Sequence, residues 1–271
     1  MIIRENTIKI KDIESKFRLH KENMDYLPEE LVFFDLEHYV YKKPKCIGVF
    51  GASEFDRKSA TLKVTQYMIE NRYEGIEILH LARNYFVDME SRGKKAIVTF
   101  SGNNDFTVIN YLFKKYSINY DFNEKFDSID IQKEYESMLG KSIGLKNLEK
   151  IFGIIRESEV ISGSNLAKTF HKVMKDKDYI KRMPEDKIEK ILLYNEQDVV
   201  NLFHIYMNWS MYINESLIEE NKEEVNIKSI EDIEEVDSIE VEDVNEDIIS
   251  NEEDSLDENN KTVDSEENNL T

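Results

Sequence analysis

The run Leu31-Val32-Phe33-Phe34-Asp35-Leu36-Glu37 constrains this chain more than any other stretch. Short apolar runs rich in Val and Phe and bounded by turn-forming residues predict a buried strand. Side chains alternate along a strand, so Asp35 and Glu37 share one face while Leu36 points the other way. Two carboxylates side by side at the end of a buried strand repel each other and lose hydration, which is unfavourable without a cation between them. Hard divalent ions such as Mg²⁺ and Mn²⁺ take oxygen ligands and supply that charge. Taken alone, Asp-x-Glu also fits a strand ending in a polar turn.

The 271 residues suffice for one large domain or two small ones, and 40% apolar content permits a sizeable core. Cys46 is the only cysteine, which excludes an internal disulfide and a cysteine zinc cluster. The five histidines are scattered, with no pair at zinc-ligand spacing. No apolar run approaches the roughly 18 residues of a membrane span, and the opening residues lack a signal-peptide core. A cytoplasmic setting and no membrane partner are therefore expected. The net charge of −20 is unevenly spread: residues 217–271 hold 22 acidic and 3 basic side chains, against 34 and 33 in residues 1–216. A near-neutral body does not argue against nucleic acid as a partner.

Along the chain, residues 1–30 read as an N-terminal arm with a short strand around Thr7–Lys11. Cys46–Gly51 and the alternating Thr61–Met68 predict two more strands after the opening one, and their short connections favour an antiparallel meander. Ile76, Leu79, Ala82, Phe86 and Met89 predict a helix over Gly75–Glu90. Lys95–Phe100 reads as a strand, Phe106–Tyr116 as a helix, and Phe126–Ile131 as a short strand. Helical spacing returns in Tyr135–Gly153, around Asn165–Lys175, and in a long helix opened by Pro184 and running to about Ile213. The pattern predicts an α/β fold: a mixed sheet, antiparallel across its first three strands with parallel strands beside them, flanked by helices. Residues 31–216 would form this domain. Residues 217–271, rich in Glu, Asp, Asn and Ser, predict a disordered acidic tail, which is solubilising, competes with nucleic acid for a basic channel, or docks a protein partner.

Two further acids stand out. Asp105 follows the turn cluster Ser101-Gly102-Asn103-Asn104 at a strand-to-helix junction, where an N-cap role is an alternative. On the last helix, Tyr194 and Asp198 are four residues apart and so share a face. Asp198 faces the same side as several core residues, and a buried carboxylate needs a lysine, hydrogen bonds or a metal.

In this order the motifs resemble the DEDD exonucleases of the ribonuclease-H-like superfamily, in the tyrosine subtype, and in particular the YprB-type ribonuclease-H-like domain. Phe33–Glu37 is similar to its first motif, Ile97–Phe106 to its second and Tyr194–Leu202 to its third, and Ser128–Ile131 and Gly144–Gly153 resemble its connecting segment. The second motif departs from the pattern: Ser101 stands where Asn is usual, and no Phe precedes Asp105.

The resemblance implies a metal-dependent 3′–5′ exonuclease acting on single-stranded DNA or RNA. Asp35, Glu37, Asp105 and Asp198 would hold two divalent cations, Mg²⁺ or Mn²⁺, about 4 Å apart, stabilising the attacking and leaving oxygens. Tyr194 would orient the attacking water, because a phenol with its usual pKa near 10 is a poor base. Lys42, Lys43, Lys45, Lys114 and Lys115 are candidate contacts to the strand, although each also fits a solvated surface charge. The alternatives are a catalytically weakened nucleic-acid-binding module, an interaction protein working through its acidic tail, and an endonuclease on the same fold.

Overall fold

A computed structural model describes residues 1–11, 14–21, 24–157 and 161–213. The expected tail, 217–271, lies outside the described residues. Among the described residues six strands form one sheet: β1 (Ile2–Lys9), β2 (Leu31–Tyr41), β3 (Lys43–Asp56), β4 (Thr61–Met68), β5 (Ala96–Thr99) and β6 (Asp127–Asp130), in the spatial order β1-β4-β3-β2-β5-β6. The pairs β1–β4, β4–β3 and β3–β2 are antiparallel, whereas β2–β5 and β5–β6 are parallel. The helices are α1 (Glu77–Ser91), α2 (Asn103–Lys115), α3 (Phe122–Lys125), α4 (Ile131–Leu139), α5 (Leu145–Ile151), α6 (Gly163–Lys175), α7 (Glu185–Met207) and α8 (Trp209–Tyr212). The expected mixed sheet flanked by helices is what the chain forms.

Several elements differ from expectation in extent. Residues 1–30, read as an arm, contain the eight-residue edge strand β1. Most of β1 is exposed or half-buried, which hides the apolar alternation that would announce it. Strand β3 runs well past Gly51, because Ala52–Phe55 are buried between β2 and β4 despite including Ser and Glu. Helix α2 starts at Asn103, three residues before Phe106, so Asp105 lies inside its first turn.

Strand β2 is covered on both faces. Val32, Phe34 and Leu36 join the core beneath α1 and α2, while Leu31 and Phe33 face the core built by α4, α5 and the C-terminal half of α7. Phe33 meets Phe203 and Tyr206 of α7 edge-on, with ring centroids 5.5 and 5.9 Å apart. Each such aromatic pair adds about 0.5–1.5 kcal/mol beyond the burial itself. These contacts fix α7 along β2. Moving up β2 from Phe33 to Asp35 and Glu37 corresponds to moving back along α7 from Phe203 to Asp198 and Asn195. Among the described residues no helix is long and apolar enough to cross a membrane.

Candidate metal centre

The parallel pairing of β2 with β5 ends at Phe33↔Val98, so Asp35 and Glu37 project just beyond the carboxyl end of β5. In open α/β sheets that crevice is where ligands bind. A register shift between Glu37 and His38 then ends the regular alternation of β2. Asp198 reaches the same place from α7. Asp35, Glu37 and Asp198 each offer a carboxylate oxygen, and these oxygens lie within 4.8 Å of one another. Glu37 and Asp198 are buried, and Asp35 keeps part of its surface open to solvent.

Asp105 stands outside this tight trio but close to it. Burial pushes its carboxyl well above the usual range, with the charges of Asp35, Asp130 and Asp198 adding to the shift. Its turn is held by Asp130, whose carboxylate accepts from the backbone N–H groups of Ser101 (3.0 Å) and Gly102 (3.2 Å). Ser101 sits at φ 56°, the left-handed region that Asn enters more readily because its amide side chain hydrogen-bonds the local backbone. Asp130 is also the N-cap of α4, accepting from Gln132 N–H at 3.1 Å. One carboxylate thus ties the end of β5 to the start of α4.

Electrostatics describe a site short of positive charge. Burial raises Asp35 to about 6, opposed by a hydrogen bond from Asn195 and by the Arg156 charge. Glu37 is pushed up by burial first, then by Asp35, Asp198 and Asp105, with Lys146 opposing. Burial and Asp35 raise Asp198, against Arg156. Oxygen donors this close, buried and mutually repelling, fit a hard divalent cation, which would replace repulsion with attraction. Tyr194, the other residue singled out on α7, is buried, and burial followed by the nearby carboxylates pushes its phenol further above its usual range. That leaves it a hydrogen-bond donor rather than a base.

The sequence reading assigned no role to the layer around the acids. Asn195 Nδ2 donates to Asp35 at 3.0 Å, and Asn195 Oδ1 accepts from Gln66 Nε2 at 2.8 Å. Gln66 Nε2 also reaches the Leu192 carbonyl at 2.8 Å, anchoring α7 to β4. Arg156, in the loop after α5, donates to Asp198 and grips Glu149 with two nitrogens at 2.5 and 2.7 Å. Lys146 Nζ and the Arg156 guanidinium lie over the Tyr194 ring at 5.4 and 5.1 Å. Asn195 falls within the third motif, but its polarity alone does not tell a ligand-orienting amide from a helix surface residue. Arg156 lies in an aperiodic loop and carries no pattern at all.

The lysines proposed from sequence stand elsewhere. Lys42, Lys43 and Lys45 are exposed at the β2–β3 turn, with Lys42 and Lys45 over the Tyr41 ring. Lys114 and Lys115 end α2, about 15 Å along the helix from Asp105. A cavity of about 630 Å³ opens between α2 and α4, lined by Asn103, Phe106, Asn110, Asp130 and Lys133 among others. It borders the Asp130 turn and not the three converging carboxylates.

A mixed sheet with acids meeting beyond its parallel strands defines a metal-compatible acidic crevice on an α/β fold. The family model of the RNase H superfamily matches residues 32–210, and the chain belongs to that superfamily. No curated protein matches it. Members of the superfamily are nucleases and related hydrolases that use divalent metals and act on nucleic acids.

Proposed function

We propose that this protein is a metal-dependent 3′–5′ exonuclease of the DEDD type, tyrosine subtype, acting on single-stranded DNA or RNA. The observation that carries the reading is the convergence of Asp35, Glu37 and Asp198 from β2 and α7 at the carboxyl end of the parallel strands. When bound there, divalent cations, Mg²⁺ or Mn²⁺, neutralise charge developing on the phosphate and make a water nucleophilic near neutral pH. Asp35, Glu37 and Asp198 would hold the cations, with Asp105 completing the set. Asn195 keeps the Asp35 carboxylate aimed, and Gln66 keeps Asn195 aimed. Tyr194, whose phenol stays protonated, donates to the attacking water and fixes its line of approach. Digestion of 3′- and 5′-labelled single strands with Mn²⁺ tests this. Loss of single nucleotides from the 3′ end, at least about 100-fold slower in Asp35→Asn and Asp198→Asn, is the expected result. Cleavage of a circular strand would move the assignment to an endonuclease.

Two observations favour a second reading, a nucleic-acid-binding module with weakened catalysis. Asp105 stands apart from the trio, and Arg156 already engages Asp198. Binding of a labelled strand without turnover at saturating Mn²⁺ would select it.

A further inference from the structure

Arg156 is a cation built into the acidic crevice. Its side chain is 7% exposed, and its Nη2 donates to both Asp198 Oδ1 and Glu149 Oε1 while Nε donates to Glu149 Oε2. Glu149 is in turn fixed by Asn201 Nδ2 at 2.8 Å. Asp198 and Asn201 are three residues apart on α7, so both ends of this bridge rest on one helix face. Arg156 itself lies between α5 and α6, in no helix or strand. Its Nη1 is buried and finds no partner among the described residues.

Asp198 is consequently claimed twice. One of its oxygens accepts from Arg156, while the trio geometry offers a carboxylate oxygen to an ion shared with Asp35 and Glu37. The two cations repel each other, so an ion bound through Asp198 weakens the Arg156 contact and the reverse holds equally. Glu149 can retain the guanidinium alone through its two-nitrogen grip, which lets Arg156 yield Asp198 without becoming an unpaired buried charge.

We propose that Arg156, tethered by Glu149, is a positioning residue that competes with a divalent cation for Asp198. A first ion would then be held through Asp35 and Glu37, and a second ion drawing on Asp198 would load only as Arg156 yields it. This rests on the nuclease reading of the site and adds the order in which its carboxylates become available.

Calorimetric titration of the full chain with Mn²⁺ near neutral pH tests the proposal. The Glu149→Gln/Arg156→Met double variant removes both charges together, so no carboxylate is left orphaned, and a cooperative melt verifies its fold. The wild type is expected to take up one ion tightly and a second at least about tenfold more weakly. In the double variant the second affinity should rise about tenfold, and adding Asp198→Asn should cancel that gain. Arg156→Lys keeps the charge but loses the two-nitrogen grip on Glu149 that holds the guanidinium against Asp198, so it should also tighten the second ion. If it behaves as wild type while the double variant tightens, general charge and not the Asp198 contact governs uptake, and the proposal fails. Identical uptake in all variants overturns this inference and leaves the metal site standing. No uptake in any variant overturns both.

Discussion

At the residue scale, Asp35 shows what the crevice costs the fold. Its folded-state pKa of about 6 lies above the ordinary 3.8, mainly through burial. Between those values the folded protein holds more protons than the unfolded chain, so stability contributed by this group is lost as pH rises through about 6. Below about pH 4 the carboxyl is protonated in both states, and replacing it with an amide changes little on this account. Metal-free Asp35→Asn is therefore expected to melt higher than wild type above pH 6, with the difference closing toward pH 4. Mn²⁺ should reverse the order above pH 6 by stabilising the wild type and not the variant. Melting curves across pH, with and without Mn²⁺, check this. A wild type that is the more stable of the two without metal at pH 7 would refute it.

At the element scale, β3 and α7 approach so closely that the site depends on a missing side chain. A Cβ at Gly51 would lie 2.1 Å from Asn195 Oδ1, and Asn195 is the group that aims Asp35. Gly51→Ala should therefore act like Asn195→Ala, weakening Mn²⁺ binding about 10–100-fold, although residue 51 offers no ligand. Calorimetry on both variants decides it, and a Gly51→Ala protein with wild-type Mn²⁺ affinity would disprove the link. Gly48 plays the same spatial role under α6, where a Cβ would meet Phe170 at 2.2 Å. Both glycines lie inside β3, where their lack of a side chain serves helix packing. The strands and α7 were legible because apolar runs and helical spacing report burial directly, as did the Asp-x-Glu and Tyr-x-x-x-Asp patterns. Edge strand β1 was only partly legible, since an exposed strand has little apolar signal. Arg156, Glu149 and Asn201 were not legible at all. Their roles arise from contacts between a loop and two helices, and nothing local in the sequence records such contacts.

At the scale of the whole molecule, charge is segregated along the chain. Residues 1–216 carry 34 acidic and 33 basic side chains, and residues 217–271 carry 22 and 3. A linked polyanion is held at high effective concentration near any basic surface on the same chain and competes there with nucleic acid. If cleavage resides in the sheet domain, a chain truncated after residue 216 should keep its kcat on single strands. Its KM at low salt should fall severalfold, because the intramolecular competitor is gone. Salt screens both the tail and the substrate, with a Debye length of about 10 Å at 0.1 M. The KM advantage of the truncated chain should therefore shrink as salt rises. An interaction protein working through its acidic tail predicts the opposite, loss of function on truncation with the fold intact. Steady-state kinetics of the two chains over a salt series separate these outcomes. A truncated protein that still melts cooperatively but no longer cleaves would place the function in residues 217–271 and not in the crevice.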